Sequence, residues 1–423
     1  MKVTLIKPKY PSTHESGALS NKINLWSYFS SLVVVSSLFP DSCDIEYYDE
    51  DFEPIDFLRE TDYVLLTSLT YSSPRAYEIA AIYKEANIPV IMGGIHASLV
   101  PDEALQHVDS IIIGEAEAVF DELYNDMLSG HLKKVYKSNS FIPADKIAGL
   151  DRRLIVRKDY LKKKNVTQFV RGCPHNCTFC TVTKFFGNKF RYRPLEQVID
   201  EIKFQLKLSN NKMVSFLDDN IFADKRKAKE FLRGLIPLKI HWWSQGTLNV
   251  ADDEELLQLM KESGCVCIFV GIEDISQEGL RELNKNCNII SKYHEQIEKI
   301  HKKDIMVMAG FIFGLETHDE TIFGDVLDFI QENKIELPFF SILTPYPGTD
   351  MYNNLLKEGR ILTKDWSLYN HSNVVYKPKN LSPEALLEGF NNVMKETYSI
   401  SKINERIKGL SPKIRMLLSP FIH

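Results

Sequence analysis

The stretch Val166-Thr-Gln-Phe-Val-Arg-Gly-Cys-Pro-His-Asn-Cys-Thr-Phe-Cys180 joins a predicted strand, Val166–Val170, to a loop with three of the chain's seven cysteines. Their spacing is C-x3-C-x2-C. Three thiolates of one loop can hold three corners of a cubane [4Fe–4S] cluster, which usually takes four cysteines. The remaining iron then stays open to an exogenous ligand, and an open coordination position is typical of catalytic metal centres. We therefore predict that Cys173, Cys177 and Cys180 bind a catalytic cluster.

A zinc site, or a loop without metal, is the alternative. Zinc requires a fourth ligand; His175 lies inside the loop but is poorly placed, and the chain has no second CxxC motif. Cys265 and Cys267 alternate along an apolar predicted strand, where side chains two residues apart share a face. These two cysteines are better explained by packing. Cys43 and Cys287 have no spacing that indicates ligation.

Downstream of this loop, apolar runs alternate with helical patterns in six strand–helix units. Together they predict a partial (β/α)6 barrel over residues 165–350. The predicted strands are Val166–Val170, Met213–Leu217, Ile240–Ser244, Val266–Gly271, Ile305–Phe311 and Leu337–Leu343. The predicted helices are Leu195–Leu208, Asp224–Leu235, Asp253–Ser263, Ile290–Lys302 and Glu320–Asn333. Residues 351–423 read as a mostly helical C-terminal extension.

Upstream of the loop, a second alternation predicts a doubly wound parallel sheet over residues 1–130, whose ligands bind beyond the carboxyl ends of the strands. Its predicted strands are Lys2–Ile6, Asp44–Tyr48, Tyr63–Ser68, Pro89–Met92 and Ser110–Ile113. Its predicted helices are Asn24–Phe39, Pro74–Asn87, Pro101–His107 and 117–127. The polar, basic residues 131–164 break this rhythm and are predicted to form a solvated linker.

The composition argues against several further classes of protein. The 423 residues carry a net charge of −6, so no global basic field indicates nucleic-acid binding. No apolar run reaches the roughly 18 residues of a membrane span. The first residues lack the features of a secretory signal. An odd number of cysteines, with three in one short window, favours a reducing compartment. We expect a cytoplasmic protein.

The cysteine loop, with Phe179 directly before its last cysteine, resembles the signature of radical S-adenosylmethionine (SAM) enzymes. Its position after the first strand of a six-unit barrel is typical of that family. The resemblance implies that SAM chelates the open iron and that its reductive cleavage yields methionine and a 5′-deoxyadenosyl radical. It also implies an external one-electron donor such as flavodoxin or ferredoxin.

Polar residues at the ends of later strands fit the same family. Asp218 or Asp219 matches the position that binds the amino group of SAM, a suitable partner for a carboxylate. The alternative is a helix cap, because the Asp-Asp-Asn run precedes a predicted helix. Gln245 ends the third barrel strand and can bind a polar edge of the cofactor. Glu273, in Gly271-Ile-Glu-Asp274, matches an acidic position for the ribose hydroxyls; Asp274 departs from the serine common in relatives.

The N-terminal domain resembles the cobalamin-binding domain that many of these enzymes carry. The motifs that carry the resemblance lie at 67–70, 91–98 and 111–117. It implies cobalamin contacts from Ser68, Thr70, Gly93, Gly94, His96, Gly114 and Glu115. Glycines after strands also let a flat ring approach the backbone. The Asp-x-His-x-x-Gly motif of cobalamin mutases is absent, so a degenerate, empty domain stays open, as does an ordinary loop role for His96.

Three functions follow. The first is cobalamin-dependent methylation of an unactivated carbon on a small-molecule, lipid or natural-product substrate. The second is radical SAM cyclisation, rearrangement or transfer of another SAM fragment. The third is a non-catalytic iron–sulfur or zinc protein. Residues 399–418 combine basic and apolar residues, which predicts either peripheral contact with a membrane or a surface helix packed on the barrel.

Overall fold

A computed structural model describes residues 1–10, 31–408 and 412. Its N-terminal half contains a parallel sheet of six strands in the order β2-β1-β3-β4-β5-β6. This order is the doubly wound arrangement with β1 and β3 at the switch point. The strands are β1 (Lys2–Lys7), β2 (Asp44–Asp49), β3 (Tyr63–Thr67), β4 (Val90–Gly93), β5 (Ser110–Ile113) and β6 (Val135–Lys137).

Helices cover both faces of this sheet, so its strands are apolar on both sides. In β1, for example, Leu5 and Ile6 point to opposite faces and both are fully buried. The helices are α1 (Ser31–Ser36), α2 (Ser73–Glu85), α3 (Ile95–Leu99), α4 (Pro101–His107) and α5 (Phe120–Ser129). The predicted helix over residues 24–39 is described only from residue 31 onward; residues 24–30 lie outside the described part of the chain.

Residues 131–164 differ from the predicted solvated linker. They supply β6, which pairs with β5, and the helices α6 (Arg152–Arg157) and α7 (Asp159–Lys162). Leu154 and Ile155 are buried in the core of the N-terminal domain. The many lysines conceal this packing, because apolar residues are sparse and the single strand is only three residues long.

The second half contains another parallel sheet of six strands, in the order β14-β13-β12-β11-β10-β7. These are β7 (Asn165–Thr167), β10 (Met213–Phe216), β11 (His241–Gly246), β12 (Cys265–Glu273), β13 (Met306–Phe313) and β14 (Leu337–Ile342). Among the described residues, the edge strands β7 and β14 do not pair with each other. The barrel is therefore open on one side, and the predicted α/β fold with a partial barrel is confirmed.

A short antiparallel pair, β8 (Val170–Arg171) and β9 (Arg191–Tyr192), flanks the cysteine loop. Helices pack around the outside of the barrel, and acidic side chains cap several of them; Asp224, for example, accepts hydrogen bonds from the first backbone amides of α10. The helices are α8 (Val182–Phe186), α9 (Leu195–Leu208), α10 (Lys225–Leu235), α11 (Glu254–Ser263), α12 (Gln277–Glu282), α13 (Tyr293–His301), α14 (Ile322–Glu332) and α15 (Asp350–Lys357).

The last two helices with described bounds are α16 (Pro383–Thr397) and α17 (Ile400–Ile407), which pack against the barrel. Ile403 is buried, and the buried Arg406 donates to the Thr397 carbonyl at 2.8 Å. In the segment 399–418, residues 399–408 therefore pack on the barrel, as the alternative of a surface helix predicts. Apart from residue 412, residues 409–418 lie outside the described part of the chain. Every helix among the described residues is too short or too polar to cross a bilayer.

Candidate active site

The cysteine loop lies between β8 and α8. Gly172 has φ of +88°, and a Cβ there would lie 2.4 Å from the Lys189 carbonyl oxygen, so only glycine fits before the first cysteine. All three cysteines are free thiols. Burial raises the pKa of Cys177 to about 11 and that of Cys180 to about 12, so ligation must displace protons from these thiols.

Backbone hydrogen bonds pin this loop to two later segments. The Thr178 amide donates to the Leu283 carbonyl at 3.1 Å, and the Asn284 side chain donates to the Asn176 carbonyl at 2.7 Å. The Met351 amide donates to the Thr178 carbonyl at 3.1 Å. The loop is thus held before any ligand binds, which lowers the cost of ordering its thiols.

The described residues contain no preformed site for a metal ion. Within residues 1–10 and 31–408, no three His, Cys, Asp or Glu side chains are arranged to hold one. The three cysteines are nevertheless carried by one loop between β8 and α8. Their assignment as ligands of a [4Fe–4S] cluster stays a prediction from their number and spacing.

A cavity of about 490 Å³ opens beside the loop, between the N-terminal domain and the carboxyl ends of the barrel strands. We call it the central cavity. Its volume is in the range of small-molecule sites. Six predicted site residues line it: Thr70, Phe179, Cys180, Asp219, Gln245 and Glu273.

Glu273 ends β12 in an unusual conformation. Its φ is +64°, and the pairing of β12 with β13 shifts register between Gly271 and Glu273. Its carboxylate is 2.9 Å from the Lys285 ammonium, and a Cβ on Gly271 would lie 2.1 Å from that carboxylate. Such a backbone conformation costs energy, and residues that retain one cluster at functional sites. Glu273 lines the central cavity in this strained conformation.

The structure separates the roles of the two adjacent aspartates. Asp218 is fully buried and accepts hydrogen bonds from the amides of Phe169, at 2.9 Å, and Val170. Burial raises the pKa of Asp218 to about 8. Asp219 lines the central cavity, and its Oδ2 has no hydrogen-bond partner among the described residues. Burial also raises the pKa of Asp219 to about 7, against the opposing charge of Arg171. Oδ2 of Asp218 also lacks a partner among the described residues, so the two aspartates differ in position: only Asp219 lines the central cavity, which makes it the better candidate for a ligand contact.

A second cavity of about 90 Å³, the sheet cleft, lies at the carboxyl ends of β3, β4 and β5. Four residues predicted to contact cobalamin line it, Gly93, Gly94, Gly114 and Glu115, and their contact with cobalamin stays a prediction. Gly114 faces open space, whereas a Cβ on Gly94 would lie 2.7 Å from the Thr67 hydroxyl. Gly114 thus leaves room for a ligand, and Gly94 is required by its own turn.

Glu115 joins the two domains. Its carboxylate is 2.9 Å from the Arg171 guanidinium and 2.6 Å from that of Arg191. Glu117 adds a second carboxylate at 2.8 Å from Arg171. These buried charges satisfy one another, so Glu115 serves the domain junction even though it lines the sheet cleft.

The remaining predicted cobalamin contacts, Ser68, Thr70 and His96, are buried, and each has a polar atom without a hydrogen-bond partner among the described residues. The hydroxyls of Ser68 and Thr70 are buried without a hydrogen-bond partner among the described residues, as a site for a polar ligand would require. His96 is fully buried, lies 2.9 Å from the Tyr77 hydroxyl, and meets Trp366 edge-on. His96 is not among the described residues that line the central cavity or the sheet cleft.

Several residues of the site had no role assigned from the sequence. Arg171 directly precedes the cysteine loop and is buried. A charged residue next to that loop could have indicated a carboxylate partner. Lys285 pairs with Glu273 but lies in a loop without a motif. Tyr346 and His371 line the central cavity from segments after β14, where the strand–helix pattern has ended.

The doubly wound domain packs on a partial barrel, and three thiols of one loop lie at the mouth of that barrel. This arrangement defines the class of protein, an enzyme whose metal cluster keeps an open coordination position beneath a ligand-binding domain. The model of the radical SAM superfamily matches residues 167–330, and that of the B12 binding domain matches residues 31–124. The chain belongs to the radical SAM superfamily, among the members that carry a B12-binding domain, and is an enzyme. The predicted family and its cofactors, a [4Fe–4S] cluster, SAM and cobalamin, are confirmed at this level.

Similar proteins point to methylation. Bacteriochlorophyllide d C-12(1)-methyltransferase of Chlorobaculum tepidum is 33% identical, with 96% of this chain and 89% of that protein covered. Bacteriochlorophyllide d C-8(2)-methyltransferase of the same organism is 32% identical, with 84% and 82% covered. The fold matches the radical SAM methyltransferase TsrM from Kitasatospora setae with a TM-score of 0.65, at 16% identity, over 84% of this chain and 78% of that one.

Proposed function

We propose that this enzyme transfers a methyl group from cobalamin to an unactivated carbon of a tetrapyrrole. The observation that carries the proposal is the central cavity, which brings the cysteine loop and a residue of the B12-binding domain, Thr70, to one space. When bound, the cluster with SAM supplies a hydrogen-abstracting radical, and cobalamin supplies the methyl group. Two relatives that share about a third of their residues with this chain are named for methylation of a bacteriochlorophyllide.

The residues at the barrel end of the cavity suit SAM. Asp219 offers an unpaired carboxylate oxygen for the amino group, and the raised pKa leaves that oxygen easily protonated until an ammonium pairs with it. Glu273, held by Lys285, presents a carboxylate where ribose hydroxyls can donate. Gln245 lies between them along the strand ends and can bind a further polar edge.

The same cavity also offers apolar surface to a large, flat substrate. Phe269 and Phe339 line it, are partly exposed, and meet edge-on with ring centroids 6.0 Å apart, so a planar macrocycle can pack against them. A lipid would also pack there, but it would leave the polar groups of the cavity unused. This complementarity supports a tetrapyrrole as the first substrate to test.

The finer expectations on partners and location belong to the same proposal. An external one-electron carrier such as flavodoxin or ferredoxin would reduce the cluster. All seven cysteines are free thiols, which supports a reducing compartment such as the cytoplasm.

The test is anaerobic turnover of the reconstituted holoenzyme with SAM, a strong reductant, hydroxocobalamin and a chlorin carboxylic acid such as pheophorbide a, alone and with zinc inserted. We expect cobalamin uptake, a methylated chlorin, 5′-deoxyadenosine and S-adenosylhomocysteine. Methylthioadenosine as the coproduct would indicate transfer of another SAM fragment. Failure to take up cobalamin, or 5′-deoxyadenosine without any methylated chlorin, would exclude the proposal as stated.

A further inference from the structure

A single imidazole lies on the wall of the central cavity. His371 lines it, and no other histidine does among the described lining residues. Its φ is +67°, a left-handed conformation that non-glycine residues rarely adopt. The backbone is held there because the Ile342 amide, at the end of β14, donates to the His371 carbonyl at 2.7 Å. A strained residue that the surrounding structure holds in place indicates a function at that position.

The hydrogen bonds decide which ring nitrogen carries the proton. The Tyr346 hydroxyl donates to the Tyr369 carbonyl at 3.0 Å and is also 2.9 Å from Nε2 of His371. A hydroxyl has one proton, so it cannot donate to both partners. Nε2 of His371 must therefore carry the hydrogen and donate, which leaves the lone pair on Nδ1.

The imidazole keeps this state near neutral pH. His371 is exposed to the cavity, and desolvation by the surrounding residues lowers its pKa below the usual 6.5, which favours the uncharged ring at neutral pH. Its exposed surface faces the cavity, and no hydrogen bond engages Nδ1 among the described residues. A neutral imidazole whose other nitrogen donates to a fixed oxygen is the arrangement that metal-ligating histidines adopt.

We propose that Nδ1 of His371 is the axial ligand of the metal at the centre of a metallated tetrapyrrole. The assignment rests on the proposed function and specifies its substrate class further. A magnesium or zinc ion in such a ring has four nitrogen donors in the plane and accepts a fifth from one face. The phenylalanine walls pack against the macrocycle, while His371 fixes which face and which edge point toward the cysteine loop.

The probe pair is zinc pheophorbide a and metal-free pheophorbide a, titrated anaerobically into the reconstituted holoenzyme and followed by absorption. We expect a red shift of the zinc chlorin bands and binding about tenfold tighter than that of the metal-free ring. His371→Asn tolerates the left-handed backbone and removes the imidazole. This variant should lose the shift and bind both rings equally, and added imidazole should restore the shift.

Tyr346→Phe is the matched positioning variant. It removes the acceptor of Nε2 but keeps the edge-to-face contact of the two rings, so the shift should persist with weaker affinity for the zinc chlorin alone. Binding of the metal-free ring should stay unchanged in both variants, which also shows that they are folded.

Every other outcome contradicts the axial assignment, the proposed function or both. An unaltered shift in His371→Asn, or equal binding of both rings by the unmodified enzyme, overturns the axial assignment while methylation of the chlorin still supports the proposed function. If neither ring binds, the tetrapyrrole proposal and the axial ligand both fail. If His371→Asn instead loses hydroxocobalamin, the imidazole belongs to the cobalamin site and the assignment is wrong.

Discussion

The central cavity and the sheet cleft both lie at carboxyl ends of parallel strands, yet their charged groups do different work. In the central cavity, Asp219 has an oxygen without a partner and Glu273 is held by strain. In the sheet cleft, the carboxylate of Glu115 is satisfied by two arginines. Glu273 is also paired, with Lys285, so the comparison teaches that Asp219 has the strongest structural evidence for a ligand among these three strand-end carboxylates.

The largest expected effect tests the central cavity. Cys177→Ala removes a proposed cluster ligand. Changes in the outer shell of metal sites cost about 10–100-fold, so loss of a direct ligand should cost more. We expect 5′-deoxyadenosine formation to fall to the rate without enzyme and the brown colour to weaken after reconstitution. Cys43→Ala, a cysteine of the N-terminal core, is the control and should retain both. Full SAM cleavage by Cys177→Ala would refute the ligand assignment.

The next effect tests the sheet cleft. Glu115→Gln leaves two buried arginines with weaker partners, and breaking a buried ion pair costs roughly 3 kcal/mol of the free energy of unfolding. Glu122→Gln makes the same change at an exposed pair with Lys133 and should cost at most about 1 kcal/mol. Urea unfolding measures both. Equal effects would mean that the domain junction does not depend on Glu115.

A smaller effect is expected at Glu273. Glu273→Gln weakens the pair with Lys285 and the expected contact with the SAM ribose. We expect KM for SAM to rise about tenfold, with a smaller change in kcat. The exposed Glu278, paired with Arg281, provides the control Glu278→Gln, whose KM should not change. If KM stays constant in Glu273→Gln, the strained carboxylate has another role.

The smallest effect concerns a charge that lines neither cavity. Lys164 lies near the domain boundary, where burial, together with repulsion from Lys7, lowers its pKa from 10.5 to about 8. Below pH 8 both folded and unfolded chains are protonated, and the folded chain is destabilised by its partly buried charge. Lys164→Met should therefore raise the free energy of unfolding by about 1 kcal/mol at pH 7.

That gain should shrink as the pH rises from 8 toward 10.5, because the folded chain loses the proton first. The exposed neighbour offers the control Lys163→Met, which should show no such pH dependence. Unfolding midpoints at several pH values measure the effect. A gain that persists unchanged above pH 10 would show that charge is not its cause.

The sequence predicted the elements with strong periodicity and failed where contacts between distant segments decide. All five predicted strands of the N-terminal sheet are present, because their apolar runs are long enough to recognise. The sixth strand, β6, has three residues and lies among lysines, so only its pairing with β5 identifies it. Five of the six barrel strands were recognisable for the same reason, whereas the predicted strand Val166–Val170 is divided between β7 and β8, which belong to different sheets.

The site shows the same division. The cysteine loop is a local motif, and local spacing is visible in a sequence. The choice of Asp219 over Asp218 depends on two amides of another segment, and the state of His371 depends on a tyrosine 25 residues away. Neither relation has a signal in one sequence, because each arises only when the strands are assembled.

Among the described residues, β7 and β14 do not pair, and this has a consequence for the choice of molecules that the enzyme can modify. A closed ring of strands would limit a substrate to what fits inside it, whereas a sheet that does not close can leave part of a bulky substrate outside the barrel. One reactive carbon can then be presented at the cysteine loop while esters or tails of varied length remain outside. The enzyme would then select its substrate by the part enclosed in the barrel and tolerate variation in the part outside it.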